Sequence, residues 1–149
     1  MTNRIPRSFA LHTFALVGLV SALSVATQTL EAQVSVIVSA ATPKSASETQ
    51  VAEIFAGAST TWPDGARVQI VENADAVLTQ RFFAKVVKKP TSIVRSQWTK
   101  LALSGQGAAP KKGRDAAEVK ALVAGTPGAI GYIPSDALDG SVKEILRVP

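Results

Sequence analysis

Residues 33–40 read Gln-Val-Ser-Val-Ile-Val-Ser-Ala, a β-branched and small-residue run without a charge. Side chains alternate across a sheet, so a strand that is apolar at successive positions has to be covered on both faces. That requirement selects an α/β fold with a parallel or mixed sheet. Of the 149 residues, 46% are hydrophobic and 18% charged, which suits one compact domain and excludes a disordered chain.

The stretch before this strand has a different character. Arg4 and Arg7 precede an uncharged run from Phe9 to Ala26 that ends in small residues, the pattern of a secretory signal peptide. Cleavage fits after Ala26 or after Ala32, and the second is preferred because strand-like sequence starts there. His12, Thr13, Gly18, Ser21 and Ser24 dilute the run below what a membrane anchor of ~20 apolar residues needs. The expected organisation is a signal peptide over 1–32 and one domain over 33–149. An exported, periplasmic location follows, with no stable membrane span after cleavage. Cysteine is absent, and a domain of this size can dispense with disulfides.

Periodicity and punctuation predict four helices and four strands. Ser45 and Glu48 have capping-box spacing, Val51, Ile54 and Phe55 recur at helical intervals, and Gly57 stands where a left-handed cap is wanted, giving a helix over 46–56. A Pro63-Asp64-Gly65 turn leads into a half-exposed strand in which Val68 and Ile70 alternate with Arg67 and Gln69. Asn73 or Asp75 caps the next helix, with Leu78, Phe82 and Val86 along one face and Arg81, Lys85 and Lys88 towards water. Pro90 stops it. Thr91 or Ser92 starts another helix that carries Val94, Trp98 and Leu101. Residues 104–113 have the composition of a loop, and a last helix over 115–124 buries Val119, Leu122 and Val123.

The nine-residue stretch Gly-Thr-Pro-Gly-Ala-Ile-Gly-Tyr-Ile at 125–133 offers two explanations, a phosphate-cradling loop or a turn. Walker-type loops need a lysine and a Ser or Thr after the last glycine, and dinucleotide fingerprints open a helix after a strand. Here the glycines close a helix before a strand. Turn residues are the expectation, with Gly131 allowing close packing.

Catalysis is poorly provided for. Residues 33–149 contain no Cys and no His, which removes Ser-His-Asp and Cys-His chemistry and the usual zinc sites. The carboxylates from Glu48 to Glu144 show no paired motif. The expectation is a non-enzyme without catalytic residues, cofactor or metal. Anion binding is better provided for, because helix starts present free backbone N–H groups. Lys44, Ser45 and Ser47 surround one such start, and Asn73 lies at another.

Between Arg81 and Arg114 the chain holds Arg81, Lys85, Lys88, Lys89, Arg95, Lys100, Lys111, Lys112 and Arg114 and no Asp or Glu. Such a block attracts anions or solvates a face. Of the aromatic residues within the block, Phe82 and Trp98 fall on the apolar helix faces, so no stacking set interleaves the lysines, and nucleic acid is an unsuitable partner.

The order of these motifs resembles a known family. Ile54-Phe55-x-Gly57 with Trp62, the Arg81-Phe82-Phe83 helix, Gln97-Trp98 and Thr126-Pro127-Gly128-Ala129-Ile130-Gly131-Tyr132 are similar to the phosphate-type (PstS-like) substrate-binding proteins of ABC transporters, from about Val34 to Ile145. The resemblance implies a single lobe of a type II periplasmic-binding-protein-like fold, with a small mixed sheet flanked by about four helices. It also implies phosphate or another small oxyanion as ligand and an ABC permease as partner. In that family a Gly-Ser-Gly-Thr loop wraps the phosphate. This chain has Glu72-Asn73-Ala74-Asp75-Ala76 there, without the hydroxyls or glycines and with two carboxylates.

Two functional readings follow. In one, the chain is a solute-binding protein whose helix starts at Ser45 and Asn73 lie along one edge, and two copies pair as a homodimer to rebuild a cleft. In the other, a degenerate lobe uses the basic face of Arg81, Lys85, Lys111, Lys112 and Arg114 on an anionic envelope protein or surface.

Overall fold

The computed structural model describes residues 32–41 and 43–149. The signal segment lies outside the described residues, apart from Ala32.

Strand β1 (Val34–Ser39) is buried at all six positions. It lies between β4 (Ala129–Pro134) and β5 (Val142–Val148) and runs antiparallel to both. On the other side of β4 comes β2 (Gln69–Asn73), parallel to it, and then β3 (Lys111–Gly113), so the sheet order is β3-β2-β4-β1-β5. The mixed sheet expected from β1 is present.

Helices cover both faces as the strand demands. Val34, Val36 and Val38 of β1 face a cluster built with α1 (Glu48–Phe55), α2 (Ala76–Phe82) and α3 (Thr91–Leu103). Ile37 faces the opposite cluster with Val119 and Val123 of α4 (Ala116–Gly125). Aromatic packing fills the thicker side: the Phe82 and Tyr132 rings stack with centroids 4.4 Å apart, and Phe55 meets both edge-on. Trp98 Nε1 donates to the Phe55 carbonyl at 3.0 Å and so ties α3 to the end of α1.

The thinner side depends on close approach. A Cβ built on Gly113 would stand 2.6 Å from Val119 Cγ2, and one on Gly131 3.1 Å from Val119 Cγ1. Val119 therefore nests on two strands that offer it no side chain. This is the close packing expected at Gly131, and it draws α4 onto the sheet.

Several sequence expectations shift. The capping box forms two residues later, with Ser47 Oγ accepting from Gln50 N–H at 3.3 Å and Gln50 Oε1 accepting from Ser47 N–H at 2.9 Å, so α1 starts at Glu48 and Ser45 is no cap. Residues 47–49 are exposed, so core packing does not favour an earlier start and the local cap decides. Strand β2 is not half-exposed, because neighbours on both edges and helices on both faces bury it from Ile70 to Asn73. Residues 111–113, expected within a loop, form the edge strand β3, which raises the strand count from four to five. Its two lysines suit an edge, where charge discourages further pairing. Leu122 is half-buried, whereas Val119 and Val123 are buried.

The helix expected to run on to Pro90 changes form at Phe83. Residues Phe83–Val87 make a π-helical turn closed by Lys88 N–H to the Phe83 carbonyl at 2.7 Å. The wider turn lets adjacent residues share the core: Phe82 with Phe83, and Val86 with Val87. Lys88 leaves it in the left-handed region at φ 55°.

The Thr126-Pro127-Gly128 stretch is a turn. Gly128 has φ +75°, and a Cβ there would lie 2.3 Å from the Arg67 carbonyl oxygen. Its own carbonyl accepts from Trp62 Nε1 at 2.9 Å and from Gln69 N–H at 3.1 Å, which joins the entries of β2 and β4. Gly128→Ala is expected to cost about 2–3 kcal/mol, from backbone strain together with the clash. Urea denaturation reads this as a lower midpoint at unchanged slope, and an unchanged midpoint would refute the close approach.

Tyr132 supplies a second check. Burial pushes its hydroxyl up to about 12, against a smaller opposing effect of the Thr79 hydrogen bond. The folded protein thus holds a proton that the unfolded chain gives up near pH 10, and stability is full below pH 10 and falls as pH rises towards 12. The sequence holds one tyrosine, so tyrosinate absorbance reports this residue alone. The native protein should titrate near 12 and the unfolded protein near 10. Coincident curves would contradict the burial.

Candidate functional site

The three parallel strands end together at one edge of the sheet, where ligands of open α/β sheets are bound. Asn73 closes β2 there and is 3% exposed. Its side-chain oxygen accepts from Asp75 N–H at 2.9 Å, and its carbonyl accepts from Thr79 Oγ1 at 3.0 Å. Thr79 has one proton and spends it on Asn73, so Tyr132 donates to Thr79 across 2.9 Å. This chain of bonds fixes the start of α2 to the core.

The helix start itself is occupied. Asp75 Oδ1 accepts from Val77 N–H at 2.9 Å and Leu78 N–H at 3.0 Å. A bound anion would need those same donors, and here the protein's own carboxylate holds them.

Beside that start a cleft of about 460 Å³ opens between α2, α3 and β3, lined by Asn73, Thr79, Gln80, Thr91, Arg95 and Lys112 among others. Thr91 and Arg95 sit one helical turn apart on α3, and Lys112 comes from the edge strand. Behind Arg95 stands Glu72, 8% exposed, whose carboxylate takes an Arg95 hydrogen bond at 3.4 Å. Glu72 points into a different hollow, an apolar groove of about 350 Å³ along α3. The cleft therefore presents Arg95 and Lys112 with hydroxyls nearby, and Glu72 lies beside both cations, as the hydrogen-bond partner of Arg95 and the register partner of Lys112.

A third hollow, about 320 Å³, lies between the starts of α2 and α4 and is lined by Asn73, Asp75, Arg114 and Asp115. It is self-contained. Glu118 Oε2 accepts from Arg114 N–H at 2.7 Å and from Arg114 Nε at 2.8 Å, which holds the Glu118 carboxyl below its usual range and raises the Arg114 guanidinium. Asp115 caps α4 through Glu118 N–H at 2.8 Å.

The expected site residues divide between two ends of the sheet. Asn73 and Lys112 meet at the strand ends. Lys44 pairs with Asp64 in the turn that leads into the opposite end of β2, which lowers the Asp64 carboxyl through that hydrogen bond and the Ala66 N–H. Ser45 is exposed, and Ser47 is spent on its own helix. The starts at 45–47 and at 73 do not share an edge. Nor do the basic residues form one face. Lys111 and Lys112 are successive strand residues and point to opposite faces, Arg114 is turned to Glu118, Lys85 stands on the π-helical turn, and Arg81 donates to the Ala32 carbonyl at 2.6 Å.

The sequence shows Arg95 only as part of the basic run and marks no role for Thr79. The Thr91/Arg95 spacing on α3 is the available signal, and the third wall of the cleft comes from β3, whose composition is that of a loop. Among the described residues, no group of three or more His, Cys, Asp or Glu could hold a metal, and no helix is long and apolar enough to cross a membrane.

Neither a protein-family model nor a curated protein sequence matches the chain. Solved structures do. A protein from Clostridium perfringens, described as a phosphate ABC transporter substrate-binding protein and solved with bound phosphate, aligns with a TM-score of 0.60 at 21% identity, over 76% of this chain and 45% of that one. PstS from Borrelia burgdorferi aligns at 0.56 and 15% identity, over 76% and 47%. A protein from Planctomyces limnophilus described as phosphate-binding aligns at 0.52 and 14%, over 76% and 41%. The chain spans less than half the length of each of these proteins. Its five-stranded mixed sheet with four α-helices accordingly has the fold of the phosphate-type, periplasmic-binding-protein-like lobe.

Proposed function

We propose that the chain is an exported solute-binding protein, active in the periplasm, that takes phosphate or another small oxyanion in the cleft between α2, α3 and β3 and serves an ABC permease. The observation that carries this reading is the convergence of Arg95 and Lys112, from separate elements, on one cleft at the ends of the parallel strands. A fold neighbour solved with bound phosphate supports the ligand class. Binding and release need no catalytic group, so the role is not enzymatic. Pairing of two copies would supply a second wall to a cleft that one lobe leaves open.

Side chains, not helix N–H groups, do the binding in this reading, because Asp75 holds the latter. Asp75 also repels the ligand. At 4 Å and an effective dielectric near 20, two unit charges interact by about 4 kcal/mol, and exposure to solvent reduces this.

Calorimetric titration of the folded protein with phosphate and then sulfate tests the reading. Saturable but weak binding, with a dissociation constant on the order of 0.1–1 mM and weakened further by salt, is expected. Lys112→Ala should weaken it about threefold, and Asp75→Ser, which keeps a capping hydroxyl but removes the charge, should strengthen it by about the same factor. Silence up to about 10 mM anion would sink the proposal.

A further inference from the structure

Arg95 lines two hollows. On one side is the polar cleft with Lys112, Thr91 and Asn73; on the other is the groove of about 350 Å³ walled by Trp98, Ala102, Leu103, Ala109 and Pro110. The groove is apolar apart from Glu72, Arg95 and Thr99, and Glu72 is already paired with Arg95. Leu103, at its rim, is 84% exposed, the largest exposure among the described large hydrophobic residues. An exposed leucine beside an apolar groove that shares Arg95 with a cationic cleft is a surface suited to an apolar group.

Resting on the oxyanion reading above, we infer that the ligand is an amphiphilic anion, a phosphonate or phosphate monoester with a short alkyl or aryl substituent. Its charged head lies between Arg95 and Lys112, and its apolar body lies along α3 over Trp98, Ala102 and Leu103. Charge complementarity orients it. A head placed in the groove would meet Glu72 among apolar walls, whereas a head in the cleft lies between Arg95 and Lys112 and leaves the tail to Trp98, Ala102 and Leu103. Free phosphate fills only the first hollow and leaves Leu103 in water.

The probes are methylphosphonate and n-butylphosphonate, which share a head and differ in tail, titrated calorimetrically into the wild-type protein and into Leu103→Ser beside inorganic phosphate. Each methylene removed from water is worth about fourfold in affinity. n-Butylphosphonate should therefore bind at least tenfold more tightly than methylphosphonate. Leu103→Ser should remove about threefold to tenfold of that gain while leaving methylphosphonate unchanged, and the exposed position keeps the fold out of the comparison. Equal affinities for the two phosphonates, with phosphate bound, would overturn the amphiphilic ligand and leave oxyanion binding standing. A gain from the butyl chain that Leu103→Ser does not touch would overturn the groove as its seat. Silence from all three anions would overturn both readings together.

Discussion

Strand β1 has apolar or hydroxyl side chains on both faces and neighbours on both edges, and the rest of the lobe is arranged to keep water from it. Three helices close one face and one helix closes the other. The asymmetry has a cause in side-chain size. The thick side is filled by Phe55, Phe82, Phe83, Trp62, Trp98 and Tyr132, and aromatic side chains of this size need several helices to enclose them. On the thin side, the side chain is absent at Gly113 and Gly131, so the single helix α4 comes close enough to seal the sheet with valines.

The same economy of space places the candidate cleft. Because α4 rides on β3, β2 and β4, its start is held beside the strand ends, and its first-turn charges are satisfied among Arg114, Asp115 and Glu118. On the other face, α2 starts where Asn73 ends β2, and the Thr79–Tyr132 bond anchors that start to the aromatic core. The cleft is what remains between α2 and α3 after their inward faces have been buried. Its polar lining is the outward half of two amphipathic helices joined to the charged face of an edge strand.

Much of this was legible in the sequence. The buried strand, the Val94, Trp98 and Leu101 stripe and the Gly57 and Gly128 turns each rest on a local rule that the tertiary structure did not oppose. What was not legible had two local solutions or none. Ser45 and Ser47 both begin a Ser-x-x-Glu/Gln frame, and an exposed first turn gives the core no means of choosing. Lys111–Gly113 has neither alternation nor β-branched residues, and it becomes a strand through pairing with Val71, Glu72 and Asn73. The π-helical turn is driven by adjacent apolar pairs, which a search for steps of four takes for an ordinary helix. The edge strand supplies Lys112 to the cleft, so the outline of the cleft depends on a pairing that only the assembled sheet provides.

The charges around the cleft also constrain how any anion is held. A helix start with free N–H groups offers fixed dipoles that salt screens weakly. Asp75 has converted that start into an internal cap, and recognition in the proposed cleft would fall to Arg95, which is half exposed, and Lys112, which is exposed. Such side chains lose rotamer freedom when they clamp a ligand, and their attraction is damped by water and ions, so an exposed pair contributes about 0–1 kcal/mol. Two contacts of that size cannot reach tight binding of a bare ion in a half-open cleft. Further free energy has to come from desolvation, either by a second lobe or copy that closes over the cleft or by apolar surface on the ligand itself. The groove along α3 begins at the guanidinium where the charge contacts end, so the second source lies within the same chain.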